Sequence, residues 1–109
     1  MPSCVITDAP AFPWRAFMLD ESRHFHGMAA VKDLLEKTNT DPLDIEMVVC
    51  ATVTPDMFFP STANLTCYKT GMKNAFGFDL SAVCICFLFA LNTAAKYIET
   101  GTFKKVVVI

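Results

Sequence analysis

Charge is scarce in this sequence. Only 18% of its 109 residues are Asp, Glu, Lys or Arg, against 53% hydrophobic, where an ordinary soluble domain carries about 25% charged residues. Such a chain has too little polar surface to cover itself as a comfortable monomer, so it is expected to hide an apolar face against a partner or to be part of something larger. A basic footprint is also missing. With a net charge of −2 and no Lys/Arg stripe interleaved with aromatics, nucleic acid is excluded as a partner. Long hydrophobic runs are lacking too: the longest, Ala82 to Leu91, has ten residues, where a membrane span needs about 20. That predicts a buried core helix and no membrane partner. No secretory signal with a basic start and a small-residue cleavage site is visible, and no Cys-x-x-Cys pair occurs. The five cysteines, Cys4, Cys50, Cys67, Cys84 and Cys86, are odd in number and mostly set among apolar residues, which reads as reduced thiols in a cytoplasmic protein.

Internal repeats, low-complexity tracts and linkers are absent, so residues 1–109 are expected to form a single domain. Its first 25 residues are broken by Pro2, Pro10 and Pro13 and are expected to be irregular, apart from a short strand at "CVITD". From Gly27 the pattern sharpens. "GMAAVKDLLEKTNT" places Met28, Val31, Leu34 and Leu35 on one helical stripe, with Lys32, Asp33, Glu36 and Lys37 facing away. "EMVVCATV" is a β-branched run without alternation, the signature of a strand covered on both faces. The loop "TPDMFFPS" leads to Pro60, expected in the first turn of a helix that ends at Gly71 in left-handed conformation. "NAFGFDL" is a further strand, a long apolar helix follows from about Ser81 to Thr100, and "KKVVVI" begins another strand. Helix and strand alternate with connections long enough for parallel pairing, so the class is α/β. The last strand runs to Ile109 with nothing after it, which predicts a partial chain.

Chemistry concentrates in "DLSAVCICFLFAL". Cys84 falls just after a strand, where a helix start concentrates unpaired N–H groups that favour a thiolate and can hold an oxyanion. The alternative is a small buried hydrophobe, which free cysteine commonly is. Cys86, two residues on, lies roughly 200° around a helix, so the two thiols cannot share one ligand and a Cys-x-Cys metal site is disfavoured. His24 and His26 lie far from paired thiols and read as solvated residues, not zinc ligands. Phe58 and Phe59 are adjacent loop aromatics; either one tucks into the core and the other caps it, or they close a pocket or enter a partner subunit.

In this order, "VVCATVTPDMFFPSTANLTCYKTGMKNAFGFDLSAVCICFLFAL" and "AAKYIETGTFKKVVVI", together Val48 to Ile109, resemble the N-terminal half of β-ketoacyl-acyl carrier protein synthase III, a condensing enzyme of the thiolase fold. The motif is a strand ending in Phe-Asp-Leu, a short step, Cys, then Phe three residues later and a helix closing in Gly. The resemblance implies a partial three-layer α/β/α thiolase-like fold, with Cys84 as the catalytic acyl-accepting cysteine and Phe59 as a substrate-binding residue that reaches the partner's acyl pocket in a homodimer. It implies acyl-CoA and malonyl-acyl carrier protein as substrates, no further cofactor, and a decarboxylative condensation that starts fatty acid biosynthesis. The family's His and Asn, which polarise the malonyl thioester, belong to its second half, so this chain is expected not to complete the reaction alone. Val83, Ile85 and Cys86 stand where the family keeps small residues, adding bulk where backbones pack closely. The alternative implied by the same resemblance is a non-catalytic dimerisation module or an inactive fragment.

Overall fold

The computed structural model describes residues 4–6, 15–18, 27–55 and 57–109. Three strands follow the sequence pattern directly: β3 (Met47–Ala51), β4 (Phe76–Leu80) and β5 (Lys105–Val108), after β1 (Cys4–Ile6) and β2 (Arg15–Met18). They form one five-stranded sheet in the order β1-β2-β5-β3-β4. The β2, β5, β3 and β4 neighbours are parallel, and β1 closes one edge antiparallel to β2. Helices α1 (Gly27–Lys37), α2 (Thr62–Thr70) and α3 (Cys86–Glu99) supply the crossovers.

The strand at Cys4–Ile6 is the one expected from "CVITD". Residues Arg15–Met18 are a difference, because they were read as irregular and are a strand. Four residues carry no measurable period; their place comes from the ladder with β5, which pairs Arg15 with Lys105 and Met18 with Val108. Tertiary pairing of this kind overrides a weak local signal. His24 and His26 lie outside the described residues.

β3 explains its own lack of alternation. Val48 and Cys50 enter one cluster with Val31 and Leu35 of α1 and Ala63 and Cys67 of α2. Met47 and Val49 enter a second, with Ala90, Ala94 and Ile98 of α3. Successive strand side chains point to opposite faces, and here both faces are covered, so every position is apolar. β5 repeats the division: Val107 joins the first cluster, Val106 and Val108 the second. The result is α/β/α layering, α1 and α2 on one face and α3 on the other.

Two boundaries differ from expectation. Pro60 precedes α2 instead of lying in its first turn; Ser61 is the N-cap, its hydroxyl accepting from the Asn64 N–H at 3.3 Å. A side-chain acceptor is what a helix start needs, and proline has none. The α-helical part of α3 begins at Cys86, not near Ser81, because Val83–Ile85 form a separate 3-10 turn. The far ends agree: Gly71 closes α2 at φ 80° and Gly101 follows α3 at φ 74°. Nor is α3 buried all round. Its inner stripe, Cys86, Ala90, Ala94 and Ile98, is buried at four-residue spacing, while Leu88 is 65% exposed. No described helix is long and apolar enough to cross a membrane.

Burial has a chemical consequence at Cys67, whose thiol is pushed up from 9.0 to about 11 by desolvation. The fold thus favours the neutral thiol. Because the unfolded chain releases this proton first, the contribution is complete below pH 9.0 and lost as pH rises through about 11. Denaturant melts across that window are expected to show a loss on the order of 1 kcal/mol, discounted for partial solvation. A Cys67→Ala chain with the same alkaline slope would contradict this.

Candidate active site

In open α/β sheets, ligands meet the carboxyl ends of the strands. Both features singled out in the sequence emerge there, from the neighbouring parallel strands β3 and β4. Residues 52–61 leave the end of β3 and carry Phe58 and Phe59; residues 81–85 leave the end of β4 and carry Cys84. Phe58 is 97% and Phe59 89% exposed, so the expectation that one of them tucks into the core is overturned. The loop offers neither ring a place against this chain.

Position 84 is set by its neighbours on β4. Along "FGFDL", alternate residues face opposite layers: Phe78 and Leu80 pack toward α3, while Gly77 and Asp79 face α2. The Asp79 carboxylate accepts from the Thr62 and Ala63 backbone N–H groups, both at 2.8 Å. These are N–H groups that a helix start leaves unpaired. At Gly77 an added Cβ would lie 2.7 Å from the Ala63 Cβ and 2.9 Å from its carbonyl carbon, so only glycine lets the helix sit this close. Its N–H is taken by the Asn64 side chain at 3.0 Å. Neither role was recognised in the sequence, although a carboxylate and a glycine two apart in an apolar strand were there to be read.

After Leu80 the chain turns sharply. Val83 has φ 51°, a left-handed conformation that costs an L-residue, and a β-branched one above all. Cys84 sits in the middle of the Val83–Ile85 turn and is exposed, whereas Cys86 is buried. The two thiols therefore point into different surroundings, as their spacing predicted. Cys84 precedes the α-helix by two residues, so the expectation that it lies in the first α-helical turn is corrected to the 3-10 turn that feeds it. Val83 is 73% exposed, and Ile85, Leu88 and Phe89, which follow it in the chain, are exposed as well.

Among the described residues no group of three His, Cys, Asp or Glu side chains is placed to hold a metal. A groove of about 590 Å³ lies at the opposite, amino end of the sheet, lined by Glu46, Phe76, Phe103 and Lys105 among others. Several of its polar groups are already engaged. Lys105 pairs with Asp44 at 2.8 Å, and Glu46 accepts from the Lys104 and Lys105 N–H groups.

Comparison with known proteins agrees with this geometry. Residues 78–109 match the family model for 3-oxoacyl-[acyl-carrier-protein (ACP)] synthase III. The chain is 50% identical over 80 residues to β-ketoacyl-[acyl-carrier-protein] synthase III 2 of Bacteroides thetaiotaomicron, covering 73% of this chain and 24% of that one. It is 53% identical over 78 residues to the synthase III of Chlorobium chlorochromatii, covering 72% and 24%. Among solved structures, the Aquifex aeolicus 3-oxoacyl-[acyl-carrier-protein] synthase III superposes with a TM-score of 0.72 at 34% identity, covering 87% of this chain and 30% of that one. The priming β-ketosynthase of the R1128 polyketide pathway gives 0.67 at 37% identity, covering 83% and 27%. The sheet with helices on both faces and a cysteine turn at its carboxyl edge is thus part of a thiolase-like α/β fold. Within that class the chain is similar to β-ketoacyl-acyl carrier protein synthase III, and it spans about a quarter of the length of the curated relatives it matches.

Proposed function

We propose that these 109 residues are a single partial domain of a synthase III-type acyltransferase and carry its acyl-accepting thiol, Cys84. The observation that carries the reading is an exposed cysteine in a strained turn at the carboxyl end of β4, inside the stretch that matches the family model. In the half-reaction assigned to this chain, the Cys84 thiolate attacks the carbonyl carbon of acyl-CoA. The tetrahedral intermediate collapses, the carbon–sulfur bond to CoA breaks, and CoA leaves as the thiolate that takes up the proton Cys84 lost. In this reading, unpaired N–H groups at a helix entry are the donors suited to the negative charge that develops on the carbonyl oxygen. The second half, loss of CO₂ from malonyl-acyl carrier protein and attack of the resulting carbanion on the acyl-Cys84 thioester, calls for polarising groups such as the family's His and Asn. In this reading the enzyme works as a cytoplasmic homodimer without a further cofactor, and Phe59 lines the partner's acyl pocket.

Incubation with acetyl-CoA followed by peptide mass mapping is expected to place one acetyl group on Cys84, and none in Cys84→Ser. An unmodified parent indistinguishable from Cys84→Ser would overturn acyl transfer.

A second reading, a non-catalytic dimerisation module, is favoured by one observation: both rings of the Phe58–Phe59 pair stand free of this chain. Sedimentation then distinguishes it. The parent is expected to dimerise with concentration and Phe59→Ala to weaken that association; a strictly monomeric parent counts against it.

A further inference from the structure

We infer that Cys86 is a positioning residue for Cys84: its sulfur, held against the Leu80 carbonyl, fastens the end of β4 to the start of α3 and so fixes the turn that presents the Cys84 thiol. The inference rests on Cys84 being the reactive thiol proposed above. The Cys86 N–H donates to the Val83 carbonyl and closes the turn on itself, but neither flank of the turn has a side-chain fastening. Ala82, before Val83–Ile85, and Ile85, before α3, provide no side-chain cap. Left-handed Val83 nevertheless persists at φ 51°, and a strained residue holds only where its surroundings impose the conformation.

The Cys86 side chain supplies that restraint. It is 5% exposed and its thiol donates to the Leu80 carbonyl oxygen at 2.6 Å. The same carbonyl accepts from the Thr52 N–H at 3.1 Å. Leu80 therefore ties together three segments: the exit of β3, the end of β4 and the first residue of α3. The five residues between Leu80 and Cys86, 81–85, are spanned by this one side-chain contact, and Cys84 lies within them.

The test uses the full chain and follows iodoacetamide labelling of Cys84 by mass mapping, with a thermal melt of each variant. Cys86→Ala, which removes the donor, is expected to slow Cys84 labelling at least five-fold through loss of the turn. Cys86→Ser, which restores a donor, is expected to return the rate to within two-fold of the parent. In Val83→Gly/Cys86→Ala the left-handed position needs no outside restraint, and at least half of the loss is expected to be recovered. A Cys86→Ala rate within two-fold of the parent, or a folded Cys86→Ser chain as slow as Cys86→Ala, overturns the inference. If Cys86→Ala does not melt cooperatively, the serine and double variants decide by the same criteria. Labelling needs a thiol but no acyl transfer, so absent acetylation with these rate differences intact would sink the proposed function alone.

Discussion

Asp79→Ala is expected to lower the unfolding free energy by about 2–4 kcal/mol, through two charge-assisted hydrogen bonds lost at once. In a domain of this size that corresponds to a fall of roughly 10–25 °C in melting midpoint. Both carboxylate oxygens are engaged, Oδ2 by the Thr62 N–H and Oδ1 by the Ala63 N–H at 2.8 Å each, and alanine leaves both donors unpaired. The site is already short of partners, because the buried Thr62 hydroxyl has no hydrogen bond. Ser61 serves a different N–H, that of Asn64. Asp79→Asn keeps one acceptor oxygen without the charge and is expected to lose about half as much. Circular dichroism melts check both; an Asp79→Ala chain within about 0.5 kcal/mol of the parent, the range of an ordinary surface substitution, would remove the cap from the account. The effect bears on the site because Asp79 is followed by Leu80, whose carbonyl anchors the Cys84 turn.

The strands and helices that were legible in the sequence are those whose pattern is dictated by covered faces. β3 read as a doubly buried strand since Met47 and Val49 meet α3 while Val48 and Cys50 meet α1 and α2. Gly71 and Gly101 read as helix ends because each takes a left-handed φ. β2 was invisible, its four residues being held by pairing with β5 and not by any period of their own. The start of α3 was misplaced by about five residues for a similar reason: "SAVCI" has helix-compatible composition, and the break comes from Val83 adopting a left-handed conformation that a β-branched residue disfavours. At the site, the different characters of Cys84 and Cys86 followed from helical geometry, and the structure makes one exposed and the other buried. The exposure of both Phe58 and Phe59 did not follow, since adjacency in a loop says nothing about whether a core surface lies within reach.

The second large effect is expected at Gly77. Gly77→Ala places a methyl group 2.7 Å from the Ala63 Cβ and 2.9 Å from the Ala63 carbonyl carbon, and backbone cannot swing aside as a flexible side chain can. Overpacking of this kind costs about 1–3 kcal/mol; Gly77→Val, with two more carbons directed into α2, is expected to exceed that range and leave a large unfolded fraction. A strand preference gained on replacing glycine amounts to less than about 1 kcal/mol, so sterics win. The double variant Gly77→Ala/Ala63→Gly separates the two contacts. It removes the Cβ–Cβ clash but leaves the clash with the Ala63 carbonyl carbon, and it weakens α2 by about 1 kcal/mol because glycine is a poor helix former. Urea melts are therefore expected to rank the parent above Gly77→Ala, with the double variant recovering little or nothing. Full recovery in the double variant would mean that the side chain alone enforces the glycine; a Gly77→Ala chain as stable as the parent would mean that α2 can move off β4, and with it that the Asp79 cap is adjustable. The two variants thus probe one joint from either side, since Gly77 and Asp79 face the same helix start from alternate positions of the strand that ends at the Cys84 turn.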